Sequence, residues 1–532
     1  MVVPDIVHGL VPPMLISFSF ITPLLSLIIK SKRFFMVYAS LLGLLTSVLS
    51  LVIAIDVFRE GVVLYPFGGW PPPIGIAYII DKLNAAIALL AAFIFTLSII
   101  SSSVYLRRYQ KASTLAYFYT ILLAIFTGAM GSLYTGDTFN LFVMMEVMCI
   151  GLYTAVAFHR SRAEAVEAAI KYSFVSIIAL VLYFFAAVLF YSGFQTLNMA
   201  DLALKARGNT SGLVSGGFFG NYIADLVFAL ALTVWVFTLE SALVPNHFWL
   251  PDAISEAPTP VSAVFPVAES VAVYVIIRYM FTVFGPDSVV AEGRARDTIL
   301  VILLVLGAIA SIVGGIMMAI QRDAKRLLGY SSISHIGFIY MAIGLAFSNS
   351  VMHRALTASI LHMINYTISS SLLFISLISI ESAVGGRNID DLTGLGRSLP
   401  LLGFSITIGV LNLIGIPPLS GFYSKFLIYQ AALEASQPIV AVITIVATAL
   451  TLMGYIKLLY IVFGKPSIGG EKPEKQLAVS IPATVLALLC ILLGLSITIG
   501  FMNILEEIAA SAYSHEQYTE VFYNYMEQLF PR

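Results

Sequence analysis

Five ionisable side chains lie inside or beside long apolar runs, where a charge is costly. Glu146 lies in NLFVMMEVMCIGLY, and Glu240 and Lys425 lie beside interruptions in apolar segments. His335 in SSISHIGF and His362 in SILHMINY add imidazoles with Ser and Tyr nearby. A charge within a membrane helix costs about 2.5 kcal/mol or more, and an imidazole can pass a proton near neutral pH. Together these residues predict a path for ions; for the histidines, the alternative is that neighbouring hydroxyls hold each ring and no ion passes through it.

The carboxylate of Glu146 is isolated from other charges in the sequence. It has no charged neighbour within six residues on either side. In a soluble protein a lone buried carboxylate is usually a structural hydrogen-bond partner, but within a membrane helix an ionisable residue is a functional candidate. The pattern predicts that Glu146 faces the interior of a helix bundle.

Two proline-containing interruptions divide apolar segments that are otherwise long enough to cross a membrane. The first, ESALVPNHFWLPDAISEAPTPVSAVF, runs from Glu240 to Phe265 and contains four prolines; the second, GIPPLSGFYSK, runs from Gly415 to Lys425. Backbone groups released by proline cannot stay unpaired in lipid, so they are buried in protein or line a water-filled cavity. Transporters use discontinuous helices in this way. The pattern predicts two broken helices beside an ion path; the alternative is two loops between ordinary helices.

The composition excludes a soluble enzyme. The 532 residues are 59% hydrophobic and 11% charged, with a mean hydropathy of +0.95, whereas soluble domains carry roughly 25% charged residues. The net charge of −1 gives no electrostatic surface for nucleic acid. No HExxH, CxxC, GxGxxG or P-loop occurs, so no cofactor and no firm metal site is predicted. Cys149 and Cys490 lie in apolar runs and are interpreted as small hydrophobic residues.

The predicted fold is an all-α polytopic membrane protein with about fourteen transmembrane helices, the seventh and twelfth discontinuous, since a crossing helix needs about 20 apolar residues. The spans lie near 6–29, 34–56, 76–105, 114–135, 138–158, 165–193, 221–244, 258–284, 298–320, 327–348, 353–382, 399–433, 437–463 and 477–502. The N-terminus has no basic region or cleavage site and is interpreted as the start of the first span. Sixteen Lys and Arg residues lie in odd-numbered connections and six in even-numbered ones, which predicts cytoplasmic odd connections and both termini outside.

Further charges lie in or near the spans. Asp81, Lys171 and Glu269 are supporting candidates for the ion path. For Lys82 and Arg278, the alternatives are a stem that reaches the aqueous interface and a functional charge inside the span. The acidic, Tyr-rich tail after residue 502 is predicted to be either an interfacial amphipathic helix against a partner or the outer surface, or a solvated tail.

Four motifs carry a family resemblance over most of the chain. They are TGDTFNLFVMMEV (135–147), HFWLPDAISEAPTPVSA (247–263), GYSSISHIGF (329–338) and GIPPLSGFYSKF (415–426). The chain resembles the antiporter-like subunits of Mrp-type Na+/H+ antiporters, respiratory complex I and membrane-bound [NiFe] hydrogenases, and GDTFNLF is closer to the Mrp D and hydrogenase branch. The resemblance implies two inverted five-helix repeats at spans 4–8 and 9–13. The predicted units are residues 1–110 (helices 1–3), 111–284 (first repeat), 298–463 (second repeat) and 464–532 (helix 14 and tail).

The resemblance also assigns roles to individual residues. It implies that Glu146 and Lys425 are charge-switch residues and that His335 is a relay member, and it gives Asp81 and Lys171 counterparts. Four positions depart from the family pattern. Relatives carry Lys at the position of Glu240 and at the position of Ser270, which follows Glu269. On the eleventh span they carry His, His and Lys at four-residue spacing, where this chain has His362, Tyr366 and Ser370.

These departures leave two acids and no central base in the first half. Two neighbouring carboxylates cannot both ionise at low cost, so one keeps a proton or the two share a cation, and oxygen ligands suit Na+. The alternatives for Glu146 and Glu240 are therefore a sodium site, a proton site of altered type, or a degenerate site. With Ser370 in place of a lysine, no complete lysine-based proton path is expected.

The leading functional hypothesis is an ion-translocating (H+ and/or Na+) subunit of a multisubunit redox-driven or Mrp-type antiporter complex in the cell's inner membrane. No electron-carrier ligand is recognised, so redox chemistry would belong to partner membrane subunits, and whether the chain counts as an enzyme is left open. One alternative is a pump-derived structural spacer that no longer transports, because Glu240, Ser270 and Ser370 replace lysines. Another is a secondary transporter acting alone.

Overall fold

The computed structural model describes residues 5–208, 222–465 and 476–529. Thirteen helices in these ranges are long and apolar enough to cross a membrane. Numbered by their place in the chain, they are helix 1 (Ile6–Ile28), 2 (Lys32–Glu60), 3 (Lys82–Arg108), 4 (Ala112–Tyr134), 5 (Thr138–His159), 6 (Ala163–Phe194), 7 (Ile223–Glu240), 8 (Thr259–Val283), 9 (Ala295–Ile320), 10 (Ala324–Leu345), 11 (Met352–Val384), 13 (Pro438–Phe463) and 14 (Leu477–Tyr513). An antiparallel pair of strands, β1 (Val63–Pro66) and β2 (Ala77–Ile80), joins helices 2 and 3.

Helix 12 is the discontinuous member of the set. Its two halves, Pro400–Ile414 and Ser420–Glu434, are fifteen residues each, and neither alone reaches the length of a span. The break contains Pro417 and Pro418, as predicted. The freed backbone is paired by side chains: Asn412 Oδ1 accepts from the Gly421 N–H at 2.7 Å, and Lys425 Nζ donates to the carbonyls of Leu413 (2.8 Å) and Ile414 (3.1 Å). The backbone groups at the break are therefore paired within the protein, as a discontinuous helix in a membrane requires.

The predicted interruption after helix 7 is also confirmed. Helix 7 ends at Glu240, residues 241–249 form turns, and a short helix, here called helix 7b (Leu250–Glu256), precedes helix 8. The Trp249 indole N–H donates to the Leu239 carbonyl at 3.2 Å, which pairs one of the acceptors left at the helix end. The Trp249 ring stacks on Tyr172 of helix 6 with centroids 4.1 Å apart. These contacts hold the interrupted backbone inside the protein.

Helices 8 and 10 form the centre of the bundle. The apolar windows of both are fully buried, whereas less than half of the corresponding windows of helices 1, 2, 5, 6, 13 and 14 is buried. Helix 9 packs on helix 10 through small residues: a Cβ at Gly307 or Gly337 would meet backbone atoms of the facing helix. Such positions let membrane helices approach closely. The polar residues of helices 8 and 10 therefore lie where lipid cannot reach them.

One backbone motif occurs twice, in the connections that precede helices 5 and 10. Asp137 caps helix 5 and bridges Asn198, and Asp323 caps helix 10 and bridges Asn388. In each case the first residue of the helix donates to the residue before the Asn, at 2.8 Å for Thr138 and 2.9 Å for Ala324. The two motifs are five spans apart, which places them on opposite membrane faces. This repetition supports the predicted inverted repeats at helices 4–8 and 9–13.

The C-terminal tail is helical and packed. Helix 14 ends in the segment Met502–Tyr513, the helix His515–Leu529 follows it, and Tyr518, Val521 and Phe522 are buried. The Tyr518 ring lies 4.6 Å from the Arg278 guanidinium, and the Thr282 hydroxyl donates to the Ala512 carbonyl at 2.6 Å. Of the alternatives for the tail, the solvated one is therefore wrong for these residues, because their apolar face packs on the end of helix 8.

Candidate functional site

The second half of the chain holds a hydrogen-bonded cluster around two histidines. His335 Nδ1 lies 3.0 Å from His362 Nε2, and His335 Nε2 lies 2.7 Å from the Tyr455 hydroxyl. His362 Nδ1 lies 2.9 Å from Ser424 Oγ, and Ser331 completes the cluster 2.5 Å from Tyr455. All five side chains are buried. Both histidines were predicted from the sequence. Tyr455 was not, because it lies 120 residues from His335 along the chain and no local pattern connects the two.

Lys425 lies at the end of this cluster, directly after Ser424. Its Nζ caps the carbonyls at the end of the first half of helix 12 and lies 4.9 Å from the centroid of the Phe338 ring. A cavity of about 220 Å³ reaches the lysine between helices 12 and 13. It is lined by Gly415, Phe422, Lys425, Tyr429, Thr444 and Thr448. Among the described carboxylates none forms an ion pair with Lys425, so its ammonium group is held by two backbone carbonyls and the face of the Phe338 ring.

Glu240 occupies an enclosed site in the first half, at the last turn of helix 7. Its Oε1 accepts from the Ser176 hydroxyl at 2.7 Å and its Oε2 from the Cys149 thiol at 3.4 Å. Glu240 is 5% exposed. Cys149 is buried and free, as expected of a small hydrophobic residue, and its S–H is in addition the second donor to this carboxylate. Neither Ser176 nor this role of Cys149 was signalled by the sequence.

Glu146 lies at the edge of the bundle and is partly buried. Its neighbours on helix 5 differ in exposure: Cys149, three positions along, is buried, whereas Phe139 (42% exposed) and Ile150 (47% exposed) face outward. Residues seven and four positions from Glu146 share its face because an α-helix has 3.6 residues per turn. Within the described ranges no hydrogen bond or ion pair is formed by its carboxylate, including with Glu240. An isolated acid in an apolar run does not reveal which way its helix is rotated.

Glu269 and Ser370, predicted as supporting residues, lie in the central helices. The Tyr366 hydroxyl donates to Glu269 Oε2 and lies 2.7 Å from Ser332 Oγ. Glu269 Oε1 and Ser370 Oγ are buried and have no hydrogen-bond partner among the described residues. Ser270, which stands beside Glu269, shares a 2.7 Å hydrogen bond with Thr367. The structure thus brings Glu269 to the second-half helices 10 and 11.

Asp81 forms a separate buried ion pair. Its two carboxylate oxygens accept from Arg278 at 2.7 and 2.9 Å, and both side chains are buried. Of the alternatives for Arg278, the one in which its stem reaches the interface is therefore wrong, because Asp81 pairs it within the protein. Lys82 does reach the tail, where its Nζ lies 2.7 Å from Glu507. Asp81 is thus part of a structural pair outside the histidine cluster.

Lys171 lies at an exposed surface of the bundle and not in the buried histidine cluster. Its side chain is 43% exposed and bonds to Glu167 (2.6 Å) and Asp252 (3.1 Å). Asp252 also pairs with Arg326 at 2.7 Å.

Glu256, one turn further along helix 7b, repeats this arrangement. It pairs with Arg162 at 3.1 Å and with Arg387. Each acid of helix 7b therefore holds one cation from helices 5–6 and one from the segments of the second half. We call these four ion pairs the helix 7b clasp; their sequence signal was the pair of acids one turn apart in LPDAISE.

These features define a polytopic membrane protein with buried ionisable side chains beside interrupted helices. Residues 135–451 match the family model described as "NADH:quinone oxidoreductase/Mrp antiporter, TM". The chain belongs to this family, as the four sequence motifs predict.

Relatives support the same assignment over most of the chain. The N subunit of the NADH-quinone oxidoreductase of Desulforudis audaxviator is 30% identical, and the match covers 82% of this chain and 84% of the relative. The D subunit of the Na(+)/H(+) antiporter of Alkalihalophilus pseudofirmus is 27% identical over 84% of this chain and 85% of the relative. A chain of the membrane-bound sulfane sulfur reductase, an archaeal respiratory membrane complex, superposes with a TM-score of 0.86 at 26% identity and covers 97% of this chain and 100% of its own length.

Proposed function

We propose that this chain is a proton-translocating subunit of a multisubunit membrane complex in the inner membrane. The observation that carries the proposal is the buried series Tyr455, His335, His362 and Ser424, which ends beside Lys425 at the break in helix 12. Imidazole and hydroxyl groups in hydrogen-bond contact can pass a proton, and Lys425 can hold the charge at membrane depth. The relatives include a Na(+)/H(+) antiporter subunit, which supports ion transport as the activity.

Membership in a complex has two lines of support. The sulfane sulfur reductase whose chain superposes on this one is a respiratory membrane complex. Glu146 lies on a partly exposed face of helix 5 with no polar partner in the described part of the chain. Because a carboxylate facing lipid is costly, a neighbouring subunit that covers this face is the arrangement that we infer. On the positive-inside pattern we also propose that the helix 7b clasp is cytoplasmic and that both termini are outside.

The transported ion in the first half remains open between H+ and Na+. Glu240 is satisfied by a hydroxyl and a thiol donor, which suits a proton-carrying carboxyl, since a Na+ site needs several oxygen ligands. Among the described residues no group of three or more His, Cys, Asp or Glu side chains forms a metal-type cluster. We therefore propose protons as the ion and keep Na+ near Glu146 and Glu240 as the alternative.

The test compares two lysines that both cap helix ends. Lys425 caps carbonyls at the break, and Lys457 donates to the carbonyls of Ala319 and Gln321 at the end of helix 9. We expect Lys425→Ala to lower H+ transport by the reconstituted complex about tenfold or more, since a positioned proton-transfer group contributes roughly 10²-fold or more. Lys457→Ala removes only capping and is the matched control.

The measurement is dye-monitored H+ uptake into vesicles that contain the intact complex. Full transport by an assembled Lys425→Ala complex would support the spacer alternative and overturn the proposal. A free-standing transporter would instead purify in mild detergent as one polypeptide with transport activity.

A further inference from the structure

Asn412 lies in the last turn of the first half of helix 12, directly before the two carbonyls that bind Lys425. Its side chain is buried, 1% exposed, and both polar atoms of its amide are bonded. Oδ1 accepts from the Gly421 N–H at 2.7 Å and from the Ser420 hydroxyl at 3.3 Å, across the break. Nδ2 donates to Ser369 Oγ of helix 11 at 2.8 Å. One amide therefore joins the two halves of helix 12 to each other and to a neighbouring helix.

The bond to Gly421 lies on the face of helix 12 that carries Lys425. The two residues are four positions apart, so they share one face of the helix. The Gly421 N–H is in the first turn, where no carbonyl of the same helix can accept it, and Asn412 supplies the acceptor. Glycine permits this approach, because a Cβ at position 421 would lie 1.8 Å from the Asn412 carbonyl oxygen. The contact therefore sets how closely Lys425 approaches the carbonyls of Leu413 and Ile414.

Helix 11 holds both halves of helix 12 through three residues on one of its faces, at spacings of three and four positions. They are His362, Asn365 and Ser369. The histidine Nδ1 lies 2.9 Å from Ser424 Oγ, and the asparagine Nδ2 donates to the Ser420 carbonyl at 2.9 Å. The serine accepts from Asn412. The face of helix 11 that carries His362 therefore also fixes the register of the helix that carries Lys425.

Helix 14 contacts the break from another side. Cys490 Sγ lies 3.5 Å from Ser369 Oγ. One turn further along, a Cβ at Gly494 would lie 2.2 Å from the Pro418 carbonyl oxygen and 2.7 Å from the Ser420 nitrogen. The backbone of helix 14 thus packs directly on the backbone of the break. Helices 11 and 14 together enclose the Asn412 contacts within the protein, where a broken helix must pair its backbone groups.

We propose that Asn412 is a positioning residue for the proton-transfer step at Lys425. Its amide holds the second half of helix 12 in the register in which Lys425 reaches its two carbonyls and Ser424 reaches His362. Asn412 itself neither takes up nor releases a proton, so its effect on transport passes through the lysine. The inference rests on the proposed function, since it concerns the geometry of the same site.

The experiment is a double-mutant cycle in the intact reconstituted complex, with H+ uptake into vesicles as the measurement. Asn412→Leu keeps the approximate size of the side chain and removes its hydrogen bonds. We expect this variant to assemble and to lower H+ transport about fivefold, because a small displacement of a reacting group slows its reaction strongly. In a complex that already carries Lys425→Ala, the same substitution should cause no further loss, because residues that act through one another are not additive.

Asn140→Leu is the matched control. Asn140 is a buried asparagine of helix 5 whose Nδ2 donates to Thr135 at 2.9 Å. Any factor by which this variant lowers transport should be the same with and without Lys425→Ala, since distant sites are additive. If Asn412→Leu does not assemble, Ser369→Ala takes its place in the cycle, because it removes only the acceptor of the Asn412 amide N–H. We expect a smaller loss from Ser369→Ala and the same absence of a further loss beside Lys425→Ala.

The cycle separates the positioning role from the proposed function. If the losses multiply, so that about fivefold and about tenfold combine to about fiftyfold, the two residues act independently and the positioning role is overturned. Unchanged transport in an assembled Asn412→Leu complex, or in Ser369→Ala where Asn412→Leu does not assemble, would also overturn it. In both cases a slow Lys425→Ala complex leaves the proposed function intact. Full transport in Lys425→Ala would overturn both, because no lysine step would remain to be positioned.

Discussion

The two halves of this protein differ in the chemistry that they enclose. In the second half, two histidines, a tyrosine and a serine lie in hydrogen-bond contact and end beside Lys425. In the first half, Glu240 accepts from a hydroxyl and a thiol, while Glu146 lies partly buried at the edge of the bundle. A bridge between Asp and Asn occurs in each half. The difference therefore lies in side chains: one half offers bases and the other offers acids.

The largest effect is expected in the basic half. His362 links His335 to Ser424, and His362→Gln keeps a polar side chain of similar reach but cannot pass a proton through a ring. We expect H+ transport to fall about tenfold or more, as for loss of a proton-transfer group. Vesicle H+ uptake by the complex is the measurement.

His353→Gln provides the control for the same substitution on the same helix. Its Nδ1 lies 3.3 Å from the Tyr513 hydroxyl of the tail, and it precedes His362 on helix 11 by nine residues, or about 13 Å along the helix. An equal loss in both variants would mean that helix 11 tolerates neither change, and the special status of the histidine pair would be lost.

What the sequence predicted well were the features set by local chemistry. Proline and the length of apolar runs predicted the breaks after Glu240 and at Gly415, because both follow from backbone hydrogen bonding in lipid. The histidines and Lys425 were singled out because ionisable residues are rare within spans, and they lie close together, while their role in transport stays a prediction.

What the sequence could not predict were rotation and distant pairing. The position of Glu146 at the edge of the bundle could not be predicted, since an isolated acid in a uniformly apolar run does not indicate how its helix is rotated. Arg278 pairs with Asp81 across 197 residues, and Tyr366 with Glu269 across 97. Such pairs depend on how non-neighbouring helices pack, which no local pattern records.

An intermediate effect is expected at Glu240. Glu240→Gln keeps an acceptor for Ser176 but removes the exchangeable proton, so we expect it to roughly halve the H+ flux, because the second half keeps its own transfer groups. Cys149→Ala removes only a weak S–H donor and should change the flux less.

The variant Glu240→Lys tests whether the first half of the chain transports H+ or Na+. If the acidic half carries Na+, this change should alter the Na+ dependence of turnover, measured by varying external Na+ at constant ionic strength. If Glu240→Lys leaves the Na+ dependence of turnover unchanged, the sodium alternative is contradicted. If Glu240→Gln leaves the H+ flux unchanged, the first half is not part of the proton route.

The smallest effect is expected at the helix 7b clasp, where both halves contribute cations to the same two acids. Asp252 binds Lys171 and Arg326, which are 43% and 40% exposed, whereas Glu256 is 6% exposed. Exposed ion pairs stabilise by about 0–1 kcal/mol and are screened by salt. We therefore expect Asp252→Asn to change transport slightly at low salt and not at high salt, and Glu256→Gln to have a larger effect that salt does not remove. Transport at low and high ionic strength by both variants is the measurement. If neither variant alters transport at any salt concentration, the halves do not communicate through helix 7b.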